Sequence, residues 1–158
     1  ELVHVDYLAD GSGDPRPGFL QNLLEAVPKD ACVLVWNASF ENGRLKQLAE
    51  DFPDRTGEIE ALIERVRDMM VPFRDKSIYH WKFNGQYSIK AVLPALVEGV
   101  GYDGLEIGDG EAAASEWLRM IQTDDETQKA SIRQNLLEYC KLDTYAQVLI
   151  LEKMWEIV

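Results

Sequence analysis

The feature that most restricts how this chain can fold is a carboxylate inside an apolar helical stripe near its end. On a wheel of roughly 100° per residue, Ile132, Leu136, Tyr139, Asp143, Ile150 and Met154 fall on one face. A helix that buries this face must pair Asp143 or give it a cation, because an unpaired buried charge costs several kcal/mol (about 3–5) or neutralises itself. Tyr139 lies one turn earlier on the same face, within reach of whatever Asp143 holds. A second carboxylate repeats the pattern. The apolar run Ala31–Trp36 reads as a buried strand ended by Asn37, and in the following helix Glu41, Leu45, Leu48 and Phe52 share a face. Glu41 then stands just past the C-terminal end of a strand, the edge where open α/β sheets place their sites. Two acids turned inward from different elements point to one shared site, and a divalent cation is the economical reason for it.

The rest of the chain supplies the frame. Leu2–Leu8 alternates as a strand would, and a loop rich in Gly and Pro leads to a short helix from Phe19 that stops at Pro28. Pro53 opens a charged helix through about Arg67, and Asp68–Phe73 reads as a strand or extended segment. A loop with His80, Trp81 and Asn84 precedes a helix containing Val92, Leu93 and Leu96, in which Pro94 fits only in the first turn. After the turn-rich stretch Gly99–Gly110 come a helix to about Ile121 and the long final helix from Asp124–Asp125. Strand, helix, strand, then several helices is an α/β arrangement with a helix-rich C-terminal half. The 158 residues make one domain without an internal boundary.

A net charge of −12 argues against a polyanion binder held by a basic surface, though clustered metal-binding acids would lower the charge by themselves. Cys32 and Cys140 read as reduced core residues of a cytoplasmic protein, and no apolar run is long enough to span a membrane. The chain opens without an initiator Met, directly into strand-like sequence, and is expected to be a fragment of something longer.

Val35-Trp36-Asn37-Ala38-Ser39-Phe40-Glu41 resembles the second motif of proofreading-type 3′–5′ exonucleases, and Tyr139-Cys140-Lys141-Leu142-Asp143 resembles their third. Those two blocks together with Tyr87-Ser88-Ile89-Lys90-Ala91-Val92-Leu93-Pro94 and Gly108-Asp109-Gly110-Glu111-Ala112-Ala113 are similar, over nearly the whole chain, to a bacterial family called domain of unknown function 2779. The exonuclease resemblance implies a ribonuclease-H-like fold, a mixed sheet flanked by helices, with the N-terminal strands missing here. It also implies a metal-dependent hydrolase of DNA or RNA, using Mg²⁺ or Mn²⁺ held by four acids. Glu41 and Asp143 would be metal ligands and catalytic, with Tyr139 orienting water or the scissile phosphate. The first motif, Asp-x-Glu, is absent: Asp6 is its one candidate, but residue 8 is Leu. Two ions are therefore expected only with an upstream domain of the same polypeptide, and Glu41 stands where Asp is usual.

Each residue also has a plainer reading. Asp143 could be closed off by a neighbouring helix terminus, and Glu41 is favoured in a first helical turn by the dipole alone. Asn37 is a substrate contact or a strand-ending turn former, and Asp68 a supporting acid or a surface Asp ending a helix. Phe40, Lys90 and His80 are candidates to meet nucleic acid, the last two through its phosphate backbone. The rival function is a non-catalytic module that binds nucleic acid or protein, and a third reading is an acidic scaffold serving a neighbouring nuclease domain.

Overall fold

The computed structural model of the chain describes residues 2–157. Helix α1 (Pro15–Ala26) starts earlier than its apolar residues indicate, because Pro15 occupies the first turn and the Asp14 carboxylate accepts from the Arg16 N–H. Strand β1 (Val33–Val35), α2 (Ala38–Asp51), a 3₁₀ turn (Pro53–Arg55), α3 (Thr56–Ile63) and β2 (Val66–Asp68) form one βαβ unit. Its strands are parallel, with Val33 opposite Val66 and Val35 opposite Asp68. The chain then continues through α4 (Val71–Arg74), a 3₁₀ turn (Trp81–Phe83), α5 (Ile89–Leu96), α6 (Gly110–Gln122) and α7 (Glu126–Ile157).

This architecture overturns the expected ribonuclease-H-like mixed sheet. Among the described residues the whole sheet is two strands of three residues, and helices make up most of the rest. The alternating segment Leu2–Leu8 forms no strand. Its apolar side chains Leu2, Val3 and Val5 are 63%, 75% and 62% exposed, so alternation there has no core to face. At its end the backbone is held by side chains instead of a neighbouring strand: Arg133 donates to the Leu8 carbonyl (3.0 Å) and Trp117 to that of Ala9 (3.3 Å).

Two further boundaries move for local reasons. The helix expected from Pro53 to Arg67 ends at Ile63, and Val66, 8% exposed, joins β2, so the strand lies earlier than Asp68–Phe73. Pro94 sits inside α5 rather than in its first turn. It removes one helical hydrogen bond, which a helix of eight residues with Pro94 on its exposed side tolerates. Both cysteines are free and exposed, not core residues.

Three apolar clusters hold the fold. Leu20, Leu45, Leu48, Ile59 and Leu62 join α1, α2 and α3. Ile107, Met120, Ile132, Leu136 and Tyr139 pack α6 on the first half of α7. Met69, Phe73, Phe83, Val92, Leu93, Ala146 and Ile150 pack α4 and α5 on its second half. Helix α7, 32 residues and about 48 Å long, is therefore the spine shared by two clusters. Asp143 falls between Tyr139 of one cluster and Ala146 of the other. Trp36, at the end of β1, stacks on Phe73 with ring centroids 5.4 Å apart and ties the βαβ unit to the second half of α7. Among the described residues no helix is long and apolar enough to cross a membrane.

Candidate carboxylate site

The end of the two-stranded sheet positions Glu41. Asn37 caps α2 by accepting the Phe40 N–H on its side chain (3.3 Å), and Asp68, at the end of β2, accepts the Ala38 N–H (3.2 Å) with one oxygen and the Met70 N–H (2.9 Å) with the other. Asn37 and Asp68 thus satisfy backbone donors at a helix start and a strand end. Both Asp68 oxygens are engaged. Glu41 lies in the first turn of the helix so fixed, on the rim of a cleft next to Arg44.

Asp143 is positioned by a residue that no sequence pattern singles out. Tyr102, in the turn before α6, donates its hydroxyl to an Asp143 carboxylate oxygen at 2.6 Å. Its ring packs against both clusters on α7, so it spans the seam at which Asp143 stands. Burial first, then the bond to Asp143, push the Tyr102 phenol far above its ordinary range. Tyr139 is buried with its ring centroid 6.3 Å from that of Tyr102, and burial followed by the Asp143 charge pushes its phenol up to about 12. Both phenols are therefore neutral donors at any physiological pH.

The two carboxylates feel one another. The Glu41 carboxyl is raised above its ordinary value, by burial first and by the charge of Asp143 second. Glu41 is exposed as a residue, so the burial belongs to its crowded carboxyl end and the shift is screened. Among the described residues neither acid has an ion-pair partner within 4 Å: the salt bridges all lie elsewhere. Two further oxygens are left without donors on the same two helices, Asn42 Oδ1 beside Glu41 and Gln147 Oε1 one turn after Asp143. Two carboxylates without an ion-pair partner, one of them held by a neutral tyrosine, are donor chemistry that a hard cation takes, and Mg²⁺ commonly binds through one or two carboxylates plus water and phosphate. No three His, Cys, Asp or Glu side chains among the described residues gather into a ligand group, so two carboxylates are the acids this chain offers to such a site.

The other sequence candidates separate. Lys90 belongs to the site's edge, its ammonium 5.4 Å from the Tyr102 ring centroid and donating to the Gly108 carbonyl. Phe40 is exposed and carries the Arg44 guanidinium over its ring at 5.1 Å. His80 is engaged locally: its ring nitrogen accepts the Lys82 N–H (3.2 Å), and its ring stacks on Trp81 and lies tilted against Phe83. Asp6 approaches His4 at 3.5 Å. It lines a pocket of about 180 Å³ between Val5–Leu8 and α7, together with Cys140. The extended segment thus lies alongside the middle of α7; Cys140 is exposed as a residue, and crowding of its sulfur first, then the charges of Asp143 and Asp6, raise the thiol.

Fold and site together define a helix-rich protein in which the helix of a small βαβ unit carries Glu41 and a long C-terminal helix carries Asp143. The family described as a domain of unknown function (DUF2779) matches residues 1–88, more than half of the chain, and the chain belongs to that family. The match contains Asn37, Glu41 and Asp68 and ends before Tyr102, Tyr139 and Asp143, so it does not extend over nearly the whole chain. No curated protein and no solved structure matches the chain.

Proposed function

We propose that Glu41 and Asp143 supply part of a divalent-cation site for hydrolysing phosphodiester bonds in DNA or RNA, as a 3′–5′ exonuclease does. The observation that carries this is a pair of acids from separate elements without an ion-pair partner, Asp143 held by the neutral Tyr102 hydroxyl and the Glu41 carboxyl raised by burial and then by the Asp143 charge. The likeness of their surrounding residues to two exonuclease motifs is what suggests phosphodiester hydrolysis as the chemistry. Bound Mg²⁺ or Mn²⁺ would supply Lewis-acid stabilisation of charge on the phosphate. Glu41 and Asp143 would hold that cation through their carboxylate oxygens. Tyr139 stays protonated and orients water or phosphate, and Tyr102 holds Asp143 in one position. The remaining ligands would come from an upstream domain of the same polypeptide. A cytoplasmic setting is part of this reading, supported by two free thiols.

Calorimetry with Mn²⁺ tests it. The chain should show weak, saturable binding that is lost in both Asp143→Asn and Glu41→Gln, and should not hydrolyse oligonucleotides alone. Binding indifferent to both substitutions refutes the site, and robust Asp143-dependent hydrolysis by residues 1–158 refutes its division between two segments. The rival, a non-catalytic binding module, draws support from the Tyr102 bond that already engages Asp143. No Mn²⁺ binding at all favours it.

A further inference from the structure

Beside Glu41 opens a cleft of about 660 Å³, between residues 7–9, α1, α2 and Trp117 of α6. That volume lies within the range of small-ligand sites. Its walls combine two chemistries. Tyr7, Phe19 and Trp117 present aromatic surface, Tyr7 and Phe19 being 38% and 42% exposed with centroids 6.4 Å apart. The indole of Trp117 is fixed by its bond to the Ala9 carbonyl.

The cations of the cleft differ in their freedom. Arg16 is neutralised by Asp14 and Asp51, each at 2.7 Å. Arg44 has no carboxylate partner among the described residues: it donates to the neutral Gln47 side chain (3.1 Å) and lies over the Phe40 ring. In a chain of net charge −12, an open guanidinium inside an aromatic cleft selects for a ligand that is both planar and anionic. Asp51 is cancelled by Arg16, so Glu41 is the acid in the lining that opposes an anion, and it belongs to the carboxylate pair.

We propose that this cleft receives the terminal nucleotide of a single-stranded nucleic acid, with its base against Tyr7, Phe19 and Trp117 and a phosphate on Arg44. This rests on the phosphodiesterase reading, since the lining of the cleft includes Glu41 of the carboxylate pair. Stacking tolerates any base, so the cleft discriminates single strands from duplexes rather than one sequence from another. The fork of Arg44, preorganised on Phe40, can meet phosphate through two donors, which a lysine cannot do.

The test is fluorescence anisotropy with labelled ten-residue oligo-dT and oligo-U, in EDTA and in Mn²⁺, with circular dichroism as a check on folding. Arg44→Ala should weaken binding about tenfold and Arg44→Lys less, as expected for loss of a charged hydrogen bond. The slope of log affinity against log salt should fall by about 0.7 in Arg44→Ala. Phe19→Ala should weaken binding about fivefold or more. Equal loss with both oligomers makes the cleft blind to the 2′-hydroxyl; loss with one alone identifies its nucleic acid. Arg44-dependent binding in EDTA that survives Asp143→Asn upholds the cleft even if no Mn²⁺ is bound. Mn²⁺ binding through Glu41 and Asp143 with unchanged oligonucleotide affinity in Arg44→Ala overturns the cleft and leaves the carboxylate site standing. No oligonucleotide binding in either condition overturns it as well.

Discussion

Replacing Tyr102 by Phe removes one hydroxyl and little else, which makes it a sharp probe of the seam on α7. The ring that packs against both apolar clusters stays, so the loss of area and cavity formation is negligible. What goes is a 2.6 Å bond to a carboxylate in a part-buried setting. Hydrogen bonds to charged groups contribute about 1.5–3 kcal/mol, and partial solvent access puts this one near the lower end, about 1.5–2 kcal/mol. For a domain of this size that is a fall in melting temperature of about 3–8 °C. Urea denaturation should show a lower midpoint at unchanged slope, since no extra surface is exposed on unfolding. Adding Asp143→Asn closes a double-mutant cycle, whose coupling energy should be at least about 1 kcal/mol. A coupling near zero refutes the argument that Tyr102 holds Asp143. If the carboxylate site takes a cation, Tyr102→Phe should leave Mn²⁺ affinity intact or improved while stability falls, because the freed oxygen is no longer shared with a phenol.

Glu41 carries a pH signature. Its folded-state proton affinity is raised, so its contribution is neutral below the unfolded value near 4.5, turns destabilising as pH rises through the raised value, and is constant above it. The stability of the chain relative to Glu41→Gln should fall by less than about 1 kcal/mol across that window, after allowance for screening, and a flat difference from pH 4 to 8 refutes the raised proton affinity that burial, and then Asp143, give Glu41. Asp68→Ala frees the Ala38 and Met70 donors and should cost about 1–2 kcal/mol in urea unfolding, with Asp68→Asn costing less. Unchanged Mn²⁺ affinity in both variants is expected, and a loss comparable to that in Asp143→Asn would return Asp68 to the site.

The exonuclease-like blocks illustrate how motif and fold can part. Asn37, Glu41, Tyr139 and Asp143 are found by local spacing, and local spacing is what fixes their places on a helix cap, a first turn and one face of a long helix. The sheet those motifs imply depends on other segments. Leu2–Leu8 has the alternation of a strand and no neighbour to pair with.

The sequence by itself determined the apolar face of α7, the capped start of α2 and the helix-rich second half; the inward placement expected of both acids holds only in part, Asp143 being half-buried and Glu41 exposed as a residue. The first three follow from periodicities of a few residues and from caps, which act within a turn or two. Only the tertiary structure decided that Tyr102 answers Asp143 across 41 residues and that Asp68 closes the start of α2 from the end of β2. It also decided that Arg44, unlike Arg16, is left without an acid in an aromatic cleft. Which donor meets which acceptor between distant segments depends on how the clusters along α7 pack, and packing is set by volume and shape summed over the whole chain rather than by any local pattern.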